Sequence, residues 1–185
     1  LKGKVKIGNS VAIVGAGGIG FDVAEFLSHS GITSSKKTSL FMKEWGVDTT
    51  LEARGGIDGV KSAIPKNNRK IFLLQRKSKK VGADLGKTTG WIHRFSLRNK
   101  EVIMINGVNY ELIDDSGLHY IKNEQKKILE VDQIIICAGQ LSNNIQLAET
   151  IKVNKNSELI GGAFEALELD AKKAIDQAVR SAAIV

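Results

Sequence analysis

The residues in this chain best suited to hold a charged ligand are glycines. Gly15-Ala16-Gly17-Gly18-Ile19-Gly20 has the spacing Gly-x-Gly-x-x-Gly. It lies between a short apolar β-branched run, Val11–Val14, and a segment with apolar residues at helical spacing, Phe21–Leu27. A buried strand, a glycine turn and a helix are the context a dinucleotide-binding site needs. Gly15 permits the tight turn, Gly17 lets a pyrophosphate approach the backbone, and Gly20 lets helix and strand pack closely. The helix N-terminus then offers unpaired N–H groups and a partial positive charge to the phosphates. All six residues are therefore candidate cofactor contacts. The alternative is a glycine-rich turn that binds nothing.

The end of the second strand decides which dinucleotide fits. An NAD site places a carboxylate there to accept hydrogen bonds from the ribose 2′-hydroxyl. Here the run Ile71–Leu74 leads into Gln75-Arg76-Lys77-Ser78-Lys79-Lys80, with no acid. A carboxylate would repel a 2′-phosphate, whereas Arg76 can grip it with a planar fork and Lys77 can add a point charge. NADP(H) is favoured over NAD(H), with Gln75, Arg76 and Lys77 as the candidate contacts. The usual distance from glycine turn to this position is about 20 residues. It is far longer here, so the assignment requires residues 32–68 to be an insertion. A merely solvated basic loop is the alternative.

Other reactive residue types lack a chemical context. The three histidines and one cysteine have no metal-ligand spacing, so no metal site is expected. His93 has no carboxylate near it in sequence and reads as a packed or surface helix residue. His29 suits a helix end, and His119 a solvent-facing strand position. Cys137 lies in an apolar run, where it reads as a small core residue. Asp114-Asp115-Ser116-Gly117 is too short for a calcium loop and is explained by a turn. Ala138-Gly139-Gln140 ends the run Gln133–Cys137. On the residues alone, it is either an ordinary strand-to-loop turn or a place where a cofactor nears the backbone. No residue is assigned a catalytic role.

The elements that must position these groups follow from hydrophobic periodicity. Strands are expected at Val11–Val14, Ile71–Leu74, 101–105 and 133–139, the first and last buried as in a parallel sheet. Helices are expected after Gly20, closed near Gly31, and over 88–98, with Trp91, Ile92 and Phe95 on one side and Trp91 in the core. Residues 108–113, 117–121 and 127–131 suggest an antiparallel meander. Residues 32–68 read as short helices and loops in which Phe41, Trp45 and Leu51 need burial. A strand at 158–160 leads through Gly161-Gly162 into a long amphipathic helix over 165–183.

The chain has 185 residues, 42% hydrophobic and 25% charged, which excludes disordered, collagen-like and coiled-coil classes. No apolar run reaches the ~18 residues of a membrane span. Net charge is +7, and residues 61–100 hold twelve basic side chains against one acid, Asp84. Such a stretch suits an anionic ligand, an acidic partner or nucleic acid. Aromatics are only 5% of the chain, which disfavours nucleic acid. A basic docking module without catalysis remains the second class of function. The lone cysteine points to a cytoplasmic protein.

Together these segments resemble a known family. Gly15–Asp22, 43–46, 74–77, 86–94, 136–140, 160–162 and 168–171 are similar to the C-terminal part of bacterial NADPH-dependent 2,4-dienoyl-CoA reductase, an old-yellow-enzyme-like flavoprotein. The resemblance spans nearly the whole chain and is most specific at 86–94 and 136–140. It implies a long modular polypeptide. A barrel carries FMN, a 4Fe-4S cluster and the dienoyl-CoA chemistry, and FAD receives hydride from NADPH.

The resemblance further implies an α/β fold with a Rossmann-like parallel sheet, a small antiparallel meander and the closing strand and helix of a second, FAD-type domain. Residues 1–150 would be the NADPH domain and 151–185 the closing FAD-domain segment. Ala138, Gly139, Gln140, Gly161 and Gly162 would face cofactor. FMN and the cluster would belong to a preceding part, and the barrel and FAD domain would be this segment's partners within one polypeptide. The chain is then expected to be a fragment that does not bind dienoyl-CoA or perform the full reaction. With one glycine fingerprint, it should hold only part of a FAD site and be colourless when purified alone.

Overall fold

The computed structural model describes residues 5–65, 67–145, 149, 157–166 and 170–184. The chain forms two compact units, Leu1–Ala138 and Gly139–Val185. The expected boundary at 150/151 falls outside the described residues.

The first unit is built on a parallel sheet of β1 (Ser10–Val14), β2 (Lys70–Leu74), β3 (Ile103–Ile105) and β7 (Gln133–Ile136), in the order β3-β2-β1-β7. β1 and β2 run side by side with Val14 opposite Leu74, although more than fifty residues separate them in sequence. The long segment between them thus joins two neighbouring strands. Side chains alternate along each strand, so the sheet has two apolar faces. On one face Val11, Ile13, Ile71 and Leu73 meet Phe21, Ala24 and Leu27 of helix α1 (Gly18–Ser28) and Leu97 of helix α3 (Gly90–Asn99). On the other, Ala12, Val14, Phe72 and Leu74 meet Val108, Leu118 and Tyr120. The last two belong to an antiparallel meander of β4 (Asn109–Asp114), β5 (Gly117–Lys122) and β6 (Gln125–Leu129). This is the α/β fold expected from the sequence.

Several local expectations are corrected. Trp91 is not in the core: it is 56% exposed, and Leu97 carries the buried face of α3. The insertion contains helix α2 (Thr38–Trp45) and two short 3₁₀ turns, but Leu51 is 88% exposed rather than buried. Trp45 instead stacks on Phe95, with ring centroids 5.6 Å apart. β7 is half-buried, and its last residue, Ile136, is exposed, because it stands at the end of the described sheet.

In the second unit no strand forms over 158–160. The long helix expected over 165–183 is described as α5 (Ala171–Ala182), and a single helical turn, α4 (Gly161–Phe164), forms at the glycine pair ahead of it. Glu165 is extended and stops α4. Asp170 starts α5 by accepting the Lys173 amide at 2.7 Å, an N-cap that satisfies one orphan donor.

Candidate functional site

The glycine turn lies where three parallel strands end. Gly15 has φ +106°, a left-handed-side conformation that only glycine adopts readily. Its amide donates to the Leu74 carbonyl at 2.9 Å, tying the turn to the end of β2. The Cys137 amide donates to the Val14 carbonyl at 2.7 Å, tying it to the end of β7. A Cβ at position 15 would stand 2.5 Å from the Cys137 carbonyl oxygen. A Cβ at Gly20 would collide with the carbonyl oxygen of Gly15. The chain's own packing therefore accounts for the first and last glycines of the motif.

The middle pair differs. Neither Gly17 nor Gly18 has positive φ, and a Cβ at either would meet nothing within 4 Å. Neither backbone geometry nor internal packing calls for glycine there. Both are exposed, at the start of α1, which has no side-chain cap and no acidic residue in its first turn. The amides at this end and their share of the helix dipole are thus uncompensated by any side chain. This geometry suits the close approach of a pyrophosphate.

Beyond β2, the loop is zipped to residues 105–108. Gln75 N donates to Ile105 O at 2.9 Å, Val108 N to Gln75 O at 3.2 Å and Gly107 N to Lys77 O at 3.1 Å. The Gln75 side-chain nitrogen clasps its own loop, donating to the carbonyls of Lys77 (3.0 Å) and Lys79 (2.6 Å). Lys77 pairs with Asp84 at 2.9 Å, and Lys79 binds the other oxygen of the same carboxylate. Hydrogen bonds from Lys79 and then Lys77 hold the Asp84 carboxyl below its usual range. No carboxylate among the described residues bridges Arg76. Of the two cations assigned to a 2′-phosphate, Arg76 is the one whose charge is not already met by an acid.

Other members of the basic stretch are also engaged. Arg69 donates to the carbonyls of Gly8 (3.2 Å) and Leu27 (3.1 Å), and Arg94 to that of Gly82 (2.7 Å). His93, expected to lack a carboxylate, has Glu25 of α1 at 2.8 Å and ties α3 to α1. Helical spacing within one segment could not reveal that partner, 68 residues away. His119 lies 3.0 Å from Asp114 and 2.9 Å from Ser116 inside its hairpin turn.

Ala138 is exposed just beyond β7. In the second unit Gly139, at φ +123°, and Gln140 are exposed too. Gly161, at φ +59°, is buried, and its amide is taken by the Gln177 side chain at 2.8 Å. Gly162 is half-buried.

One residue near the glycine turn carries a signal that sequence reasoning does not give. The hydroxyl oxygen of Tyr110 is buried and lacks a hydrogen-bond partner among the described residues. Burial pushes this phenol up to about 12, with the Arg76 charge and the Gly15 amide pulling the other way. No sequence pattern marks it, since a tyrosine in a meander strand is ordinary.

No family model matches the chain. Its sequence is 26% identical over 144 residues to a metal reductase of Desulforamulus reducens, covering 78% of this chain and 20% of the relative. Among solved structures, 2-naphthoyl-CoA reductase in complex with 2-naphthoyl-CoA matches 100% of this chain and 22% of its own, with TM-score 0.63 and 16% identity. Bacillithiol disulfide reductase from Bacillus cereus matches 77% of this chain and 32% of its own, with TM-score 0.48 and 12% identity. The chain spans about a fifth of the length of the first two. The likeness to 2-naphthoyl-CoA reductase is one of fold, a parallel sheet with a small antiparallel meander. No helix among the described residues is long and apolar enough to cross a membrane.

Proposed function

We propose that the chain is the NADPH-binding part of a flavin-dependent oxidoreductase, in which hydride from NADPH passes to FAD for the reduction of a 2,4-dienoyl-CoA. The observation that carries the nucleotide half of this reading is the pair Gly17 and Gly18. Nothing in the chain itself requires glycine there, and they open an uncapped helix beside the end of β2. NADPH, when bound, supplies the hydride. The chain's own residues bind and orient it. The first amides of α1 take the pyrophosphate, and Arg76 grips the 2′-phosphate with its fork. The Gln75 clasp shapes the loop that carries Arg76, and Asp84 gathers in Lys77 and Lys79.

The substrate half rests on the motif resemblance at 86–94 and 136–140. FAD, FMN, the cluster and the dienoyl-CoA site belong, in this proposal, to other domains of the same polypeptide. Those domains are its partners.

Titration of the purified chain with NADPH and NADH tests the reading. NADPH should bind more tightly. Arg76→Ala should weaken NADPH by roughly 10- to 100-fold, the worth of a charge-assisted hydrogen-bonded contact, and leave NADH nearly unchanged. Equal affinity of the unaltered chain for both nucleotides would remove the role of Arg76.

A further inference from the structure

Tyr110 lies in β4 opposite Tyr120, beside a bulge that separates it from the regular pairing at Leu112. Its ring packs on the sheet face formed by Ala12, Val14, Phe72 and Leu74. The segment just before it, 105–108, is hydrogen-bonded along the loop that carries Arg76. The aromatic body is thus well placed, yet its oxygen is buried and within hydrogen-bonding geometry of no partner among the described residues. A buried hydroxyl left without a partner costs about 1–3 kcal/mol, and such a group in a folded protein calls for an explanation. The Gly15 amide is close enough to lower the Tyr110 pKa, but it donates to the Leu74 carbonyl at 2.9 Å. Arg76 is the nearby cation.

We propose that Tyr110 is a positioning residue for Arg76, its hydroxyl oxygen accepting a guanidinium N–H when the arginine closes onto a 2′-phosphate. This rests on the reading that Arg76 binds that phosphate. A guanidinium has five N–H donors, and a bidentate phosphate contact uses two, so an inward-facing donor remains for Tyr110. The phenol is neutral at ordinary pH, as any tyrosine is, and burial pushes its pKa further up. Its oxygen is therefore a neutral acceptor, and the arginine keeps its full charge for the ligand. The proposal explains why this hydroxyl is kept without a partner among the described residues: the partner closes on it when the cofactor binds.

The test is Tyr110→Phe in the full chain, which keeps the ring and its packing. Affinities for NADPH, NADH, 2′-phospho-AMP and AMP are measured by calorimetry, with a thermal melt as the control on folding. The variant should melt at the same or a higher temperature, since it loses an unpaired buried oxygen. It should bind NADPH and 2′-phospho-AMP about tenfold more weakly, with NADH and AMP changed less than twofold. Placed on Arg76→Ala, it should have no further effect on NADPH. Equal losses for NADPH and NADH would show a merely structural role and overturn the proposal. So would an unchanged NADPH affinity while Arg76→Ala alone lowers it. If Arg76→Ala leaves the NADPH-to-NADH ratio intact, the parent reading fails and this inference falls with it.

Discussion

Replacing Gly17 with alanine perturbs the proposed nucleotide site at a position where the fold has no stake. Gly17 is the N-cap of α1, with φ −82° and ψ −171°, a backbone conformation open to any residue. The added methyl meets no atom within 4 Å. The expected stability loss is the modest difference between glycine and alanine at an N-cap, about 0.5–1 kcal/mol. For a chain of this size, that shifts the melting temperature by only about 1–4 °C. Binding is a different matter. The methyl occupies the space into which a pyrophosphate must come to reach the α1 amides. Loss of two charge-assisted hydrogen bonds, at about 1.5–3 kcal/mol each, weakens binding by a hundredfold or more. Because the pyrophosphate is common to both nucleotides, NADPH and NADH should suffer alike, unlike the selective effect of Arg76→Ala. Calorimetric titration beside a thermal melt reads both quantities. A Gly17→Ala protein that binds NADPH within about threefold of the unaltered chain would refute the idea that phosphate approaches this turn.

Gly20→Ala should behave in the opposite way. Its Cβ collides with the Gly15 carbonyl, which is backbone and cannot swing aside, so the urea midpoint should fall by the equivalent of about 3 kcal/mol; a near-normal midpoint would contradict the packing of α1 on β1. Acid should loosen the insertion through Asp48, whose carboxylate accepts from the amides of Ala53 (2.7 Å), Thr50 (2.9 Å) and Glu52 (2.9 Å) and from the Thr50 hydroxyl (2.7 Å). The Ala53 amide is the largest of the influences that bring its pKa down to about 2 from 3.8. A depressed carboxylate contributes stability that is full above its unfolded pKa and is lost as pH falls through the folded one. Asp48→Asn should therefore flatten the melting temperature against pH between about 4 and 2. Asp114, also lowered to about 2 by Ser116 and His119, would leave a residual slope. Parallel curves for the variant and the unaltered chain would exclude Asp48 from that window.

Much of the site was legible before any coordinates, because it is local. The strand at 11–14, the turn at 15–20 and the helix beyond it are contiguous, and short-range sterics and periodicity suffice to place them. The meander was legible for the same reason, since its turns join neighbouring strands. The errors came where one segment's fate depends on another. Trp91 and Phe95 have core-like spacing, but the apolar surface that buries α3 meets Leu97 instead. The residues from 165 on are good helix formers, but Glu165 is extended and the terminal helix starts at the Asp170 cap.

By itself, then, the sequence determined the glycine turn, its flanking elements and the acid-free basic run at 75–80. Each depends only on residue types within a few positions of one another. Tertiary structure decided that Arg76 belongs to the turn at all, because parallel pairing of β1 with β2 brings the end of β2 to Gly15 across the insertion. It also decided that Asp84 takes Lys77 and Lys79, and that a buried phenol with no hydrogen-bond partner among the described residues feels the charge of Arg76. Hydrogen bonds and charges act through distances of a few ångströms in space, and a folded chain sets those distances without regard to separation along it.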